Sequence, residues 1–275
     1  MSNNSNGVAV KANTAKTGSR RNFINQTMGG IVLVGVNGAG VLTADANHGI
    51  SGKASARKLK IVVAGGHPGD PEYGCGGTIG RYTDLGHEVV LLYLNRGEGG
   101  INGKSGAEAA RIRTAEAINA CEILKARAVF ATQIDGQSVV DDSHYKEFYE
   151  IIAEEQPDIL ITQWPIDNHA DHRAVSSLVY DAWLRLKKSK SSIQPQFYYY
   201  EVSNGEDTLM FAPNYYVDIT DIEPRKRAAC FAHASQSPEM FYSLQDQVSR
   251  FRGVESGSKL AEGFIQHVWS GQGLL

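Results

Sequence analysis

Residues 59–70 read LKIVVAGGHPGD. An apolar run rich in β-branched residues stops at two glycines, and His67 and Asp70 follow at once. A short run of this kind, bounded by glycine, predicts a strand buried on both faces. Working outward, three more such runs appear: EVVLLYLN at 88–95, RAVFATQ at 127–133 and DILITQWP at 158–165. Helical patterns alternate with them. GGTIGRYTDLGH at 76–87 carries a helix that stops at Gly86, GAEAARIRTAEAINACEILKA at 106–126 has an apolar face, and SHYKEFYEIIAEEQ at 143–156 is stopped by Pro157. HADHRAVSSLVYDAWLRLKKS at 169–189 ends in lysines that suit a helix C-terminus. QFYYYEV (196–202) and YYVDIT (215–220) are further strand candidates, and helical segments fill 221–252. Four successive βα units predict an α/β fold: one three-layer domain with a mostly parallel sheet, spanning 59–275.

In open sheets of this type, ligands bind beyond the carboxyl ends of the strands. The first strand ends at GGHPGD, the second at NRGEGG and the fourth at WPIDNHADH, so the chemically suggestive residues all fall on that rim. His67 and Asp70 come from one end, and His169, Asp171 and His172 from the other. Two histidines and one carboxylate with an open fourth position form a catalytic zinc arrangement. Gly69 stands where a further carboxylate would serve hydrolysis. RGEGGINGKS (96–105) imitates a phosphate-binding loop, but the spacing puts Glu98 where the first glycine belongs, and a carboxylate there repels phosphate.

The 275-residue chain is 42% hydrophobic and 21% charged, with a formal net charge of −3. That composition supports a sizeable core and shows no basic excess that would point to nucleic acid. Cys75, Cys121 and Cys230 are odd in number and lack CxxC spacing, which argues against a disulfide framework or a cysteine zinc site. The first 44 residues contain no acidic side chain but include Lys11, Lys16, Arg20 and Arg21. Ser19-Arg20-Arg21-Asn22-Phe23-Ile24 resembles a twin-arginine export motif, a glycine-rich apolar stretch follows, and Ala44-Asp45-Ala46 has the small-x-small pattern of a cleavage site. Residues 1–46 are therefore expected to be a leader and 47–58 a polar linker. Once the leader is removed, no membrane anchor is expected, and the body is periplasmic or extracellular. If 1–46 is not a leader, the protein is cytoplasmic.

Taken together, the motifs resemble a family. GGHPGDPEYGCGGTI (65–79) is similar to the HPDDE…GGT signature of the PIG-L/LmbE-like zinc-dependent deacetylases. HADHRA (169–174) is similar to that family's HxDH motif, and Arg113-x-x-Glu116 to its RxxE helix. VDITDIEPRKRAACFAHASQ (217–236), with Lys226 and His233, resembles its C-terminal segment. The resemblance implies a Rossmann-like fold and removal of an acyl group from the amide nitrogen of an aminosugar or glycoconjugate. It implies zinc held by His67, Asp70 and His172, an oxyanion-stabilising His169, an Asp171 that orients an imidazole, and a substrate-contacting Arg113. Other divalent ions also suit such a ligand set. In the family the first aspartate of HPDD is the base, and here that position is Gly69. Three readings are open. Glu72, on the same loop, substitutes for it; zinc and His169 suffice without it; or the protein binds metal and glycan without turnover.

Overall fold

The computed structural model describes residues 57–189, 194–202 and 210–270. The expected leader, most of the expected linker and the start of the chain lie outside these residues. Among the described residues, seven strands and six α-helices follow one another in the order β1 (Lys60–Gly65), α1 (Asp70–Asp84), β2 (Glu88–Tyr93), α2 (Gly106–Leu124), β3 (Arg127–Phe130), α3 (Asp142–Glu155) and β4 (Ile159–Gln163). Then come α4 (Ala170–Lys188), β5 (Gln196–Tyr200), β6 (Tyr215–Asp218), α5 (Glu223–Phe231), α6 (Pro238–Ser256) and β7 (Ala261–Gln266). They form a single sheet in the order β3-β2-β1-β4-β5-β7-β6. The first five strands are parallel, and β7 runs antiparallel to both β5 and β6. The α/β expectation is met.

Side-chain alternation along β1 explains the three layers. Ile61 and Val63 point into a core shared with Ile79 of α1, Ala117 and Leu124 of α2 and Ala229 of α5. Val62 and Ala64 point the opposite way, into a core with Phe148 of α3 and Val175, Leu178 and Trp183 of α4. Successive strand residues face opposite sides, so an unbroken apolar run covers both faces of the sheet. The strand order reverses between β1 and β4, which pair in parallel from Ile61–Ile159 to Ala64–Thr162. That register brings the two rim motifs together although 105 positions separate His67 from His172.

Two elements differ from the sequence expectation. Helix α1 begins at Asp70 rather than in the GGT segment, and Cys75 breaks it with φ −144° and ψ 26°. The break frees backbone donors, and a strand not anticipated from the sequence supplies the acceptor. Glu262 of β7 accepts from Gly77 N (2.8 Å), Thr78 N (2.7 Å) and Thr78 Oγ1 (2.7 Å). Lys226 of α5 donates to the same carboxylate at 2.7 Å, with both side chains fully buried. Glycine is needed at Gly77, where a Cβ would stand 2.5 Å from Ile219. Helix propensity is low along this glycine-rich stretch, so close packing and a buried carboxylate hold it helical.

Candidate active site

The floor of the site is the junction of β1 and β4. Gly66 N donates to Oε1 of Gln163 at 2.7 Å, and Gln163 Nε2 donates to Asp70 Oδ2 at 3.2 Å. Gln163 thereby ties the two strand ends together, a role that the strand pattern alone did not signal. Asp70 sits at the first turn of α1 and also accepts from His67 N at 2.8 Å. Its Oδ2 lies 3.2 Å from His67 Nδ1 and 3.2 Å from His172 Nε2. Ligand atoms about 2.0 Å from a tetrahedral ion stand about 3.3 Å apart, so this spacing suits neighbouring ligands of one metal. One ring nitrogen each of His67, His169 and His172 also falls within 4.8 Å of the others.

Each of the two buried histidines is steadied from behind. His67 Nε2 lies 3.1 Å from Asp171 Oδ2 and 3.1 Å from Asp135 Oδ1. His172 Nδ1 lies 3.1 Å from Asp167 Oδ2, an ion-pair separation without hydrogen-bond alignment. A carboxylate at the far nitrogen is how metal-binding imidazoles have tautomer and orientation fixed. Asp171 is fully buried and also accepts from Asn95 Nδ2 at 3.0 Å and Gly136 N at 2.9 Å. It reaches the cavity only through His67. Asp135 and Asn95 were not singled out from the sequence, because each stands on a loop or strand end outside a histidine-carboxylate cluster, and Asp167 was passed over although it stands two residues before His169.

The electrostatics follow from this crowding. Burial opposes the charged form of Asp70, but the positive charges of His172 and His67 outweigh it and hold the carboxyl well below the usual range. Burial likewise opposes charging of His172, yet Asp70 and Asp167 push it up to about 9. Asp70, Asp135 and Asp171 raise His67 well above its ordinary value despite its burial. His169 moves the other way, lowered first by burial and then by the charges of His67 and His172. This is the N-cap of α4, and its Nδ1 accepts from Asp171 N at 3.3 Å. In the neutral ring the proton is therefore on Nε2, which makes His169 a hydrogen-bond donor.

A cavity of about 470 Å³ opens over this floor. His67, Gly69, Asp70, His169 and His172 line it together with Arg113, Asp135, Gly99, Gly100 and Gln236. Tyr73, Val202 and Phe241 supply apolar wall. Arg113 reaches in from α2, donates from Nη2 to Pro68 O at 2.9 Å, and comes within 3.9 Å of Asp135 Oδ2. A Cβ at Gly97 or Gly100 would stand 2.2 Å from its guanidinium, so the glycine run after β2 is what lets Arg113 pass beneath the rim loop.

Glu72 requires a correction. It does not line the cavity. Its side chain is fully buried, and its Oε1 accepts from Tyr93 at 2.7 Å and lies 3.0 Å from His233 Nε2. Two residues beyond Asp70, the helix turns it toward the sheet. Gly69 lines the cavity with φ 111° and ψ −35°, a backbone conformation that favours glycine.

The PIG-L family, described as GlcNAc-PI de-N-acetylase, matches residues 62–183. The diacetylchitobiose deacetylase of Thermococcus kodakarensis is 32% identical over 226 residues, covering 74% of this chain and 81% of the relative. Among solved structures, the N,N'-diacetylchitobiose deacetylase of Pyrococcus horikoshii, in complex with its inhibitor MPG, superposes with a TM-score of 0.68 at 25% identity. It covers 77% of this chain and 84% of its own. The 4-carboxy-2-hydroxymuconate hydratase of Pseudomonas putida superposes at 0.70 with 22% identity, over 79% of this chain and 99% of its own. At that identity the likeness is one of fold.

Proposed function

The chain belongs to the PIG-L family, and on that footing we propose that its rim cavity is the active site of a zinc-dependent hydrolase removing an acetyl group from the amide nitrogen of an aminosugar or glycoconjugate. The observation that carries the proposal is Asp70 Oδ2, equidistant at 3.2 Å from His67 Nδ1 and His172 Nε2. These three side chains would hold the ion, and they fit it in donor type, in spacing and in the carboxylates behind both imidazoles. A divalent ion there supplies polarisation of the amide carbonyl and acidification of a water.

The remaining residues have their own tasks. His169 presents its Nε2 proton to the oxygen that gains charge as the carbonyl is attacked. Arg113 brings a donor fork to the cavity lining beside Asp135 and His67, which suits the hydroxyls of a sugar ring. A cavity of about 470 Å³ accommodates a ligand of sugar size. Relatives named for diacetylchitobiose support a glycan substrate.

A second reading is a metal- and glycan-binding relative without turnover. Gly69, which offers no proton acceptor, favours it. Metal analysis together with acetate release from N-acetylglucosamine and diacetylchitobiose separates the two. One equivalent of zinc, lost in His67→Ala and in His172→Ala, with acetate released by the native protein, is the expected result. Zinc and sugar binding without acetate release supports the second reading, and undiminished zinc in both variants overturns the ligand set.

A further inference from the structure

Hydrolysis of an amide by water needs a group that takes a proton from the water and returns it to the departing nitrogen. The carboxylates around His67 are already engaged. Asp70 stands between His67 and His172, Asp135 and Asp171 meet His67 Nε2, and Asp167 meets His172 Nδ1. Glu72 is turned away toward Tyr93 and His233. Among the described residues, no carboxylate stands free over the side of the cavity where Gly69 lies.

At Gly69 itself there is room. A Cβ built there meets nothing nearer than the Tyr73 ring at 3.6 Å and His233 Cδ2 at 3.7 Å, which are ordinary contact distances. The space beside its Cα is thus a notch, walled by an aromatic ring and an imidazole edge and open to the cavity. The positive φ keeps the position glycine, so the chain itself does not fill the notch. The guanidinium of Arg113 and the Nε2–H donor of His169 line the same cavity, and a positive charge beside a hydrogen-bond donor favours an anion there.

We propose that the notch at Gly69 receives a carboxylate that is not part of the protein, and that this carboxylate is the proton acceptor of the reaction. It is either a small free anion such as formate or acetate, or an acidic substituent carried by the substrate. The inference rests on the deacetylase reading above. The carboxylate takes one proton from water as the water oxygen bonds to the acyl carbon and the carbonyl electron pair moves onto its oxygen. When that pair returns, the C–N bond breaks and the nitrogen takes the proton back. The products are the free amine and acetic acid, which ionises in solution, and the carboxylate is regenerated.

The test follows release of ¹³C-labelled acetyl from zinc-loaded full chain. A neutral sugar, N-acetylglucosamine, is titrated with formate against chloride at equal ionic strength. An acidic sugar, N-acetylmuramic acid, is assayed without formate. Binding of ¹³C-formate is read separately by NMR line broadening in the native protein and in Gly69→Ala, whose methyl group intrudes on the notch. Thermal unfolding and zinc content check that the variant is folded and loaded. The expected result is saturable acceleration of the neutral sugar, by roughly 100-fold or more, with formate broadening lost in Gly69→Ala. Fast turnover of the acidic sugar without formate assigns the carboxylate to the substrate, and acceleration by formate alone assigns it to solution. Acetate release that ignores both formate and the sugar's carboxylate overturns the proposal and leaves the deacetylase reading intact. So does formate that binds and accelerates equally in Gly69→Ala. No acetate from any sugar in any arm overturns both.

Discussion

Replacing Gly69 by aspartate puts a carboxylate permanently into the notch. Two opposed effects can be worked from the structure. The backbone there has φ 111° and ψ −35°, and forcing a non-glycine residue into such a region costs about 1–3 kcal/mol. The added Cβ finds nothing nearer than 3.6 Å, so little steric cost adds to that strain. Gly69→Asp should therefore lose about 1–3 kcal/mol of unfolding free energy, which a domain of ordinary stability survives. On the catalytic side, a positioned general base contributes about 10²–10⁴-fold, or about 3–5 kcal/mol of barrier. The expected outcome is a less stable enzyme with kcat raised by roughly that factor and a rate that no longer responds to formate. Urea denaturation measures the first effect, and acetyl release at saturating zinc and sugar measures the second. A folded, zinc-replete Gly69→Asp protein whose kcat stays within about twofold of native would refute the reasoning, because position 69 would then not be where the missing base belongs.

Other perturbations test the frame around the site. Glu262→Ala leaves Lys226 charged and unpaired in the core and strips the acceptor from Gly77 and Thr78, so it should cost about 3–5 kcal/mol in urea denaturation. A loss below about 1 kcal/mol would show that the break in α1 is held by other means. Cys75, Cys121 and Cys230 are buried free thiols, and burial pushes Cys121 up to about 12. A disulfide-exchange reagent at neutral pH should thus label none of them until the protein unfolds, and rapid stoichiometric labelling of the native protein would contradict this burial. We propose export by the twin-arginine route. N-terminal sequencing of the mature protein should then begin near Asn47, and a cytoplasmic chain that retains Arg20 and Arg21 would exclude it.

How much could be read in advance differs from element to element. β1, β2 and β4 were legible because burial on both faces writes an unbroken apolar run into the sequence. α2 was legible from its apolar face, and its Ser105 capping box is a local signal too. β7 was not, because AEGFIQ carries a buried glutamate and a glycine inside the strand. Those two residues serve α1 and neighbouring chain rather than the strand pattern. The start of α1 was missed for a related reason, since four glycines within ten residues read as a turn until the packing that needs them is seen. At the site, the histidine-carboxylate clusters stood out by spacing. Asp135 did not, because it approaches His67 through space, 68 positions away, and Asp167, though only two residues before His169, shows its contact with His172 only in the folded loop.

The sequence by itself determined the alternating βα order, the placement of His67, Asp70, His169 and His172 beyond the strand ends, and the absence of a carboxylate at position 69. These are local properties, set by periodicity and residue type. Only the tertiary structure decided that the ends of β1 and β4 are neighbours, which makes one site of two motifs. It also decided that Glu72 turns into the core while Gly69 faces the cavity. Both outcomes come from the sheet order and from the direction of α1 as it leaves β1. Strand pairing joins residues a hundred positions apart, and a helix turns each successive side chain by about 100°, so neighbours in the chain are sent to different environments.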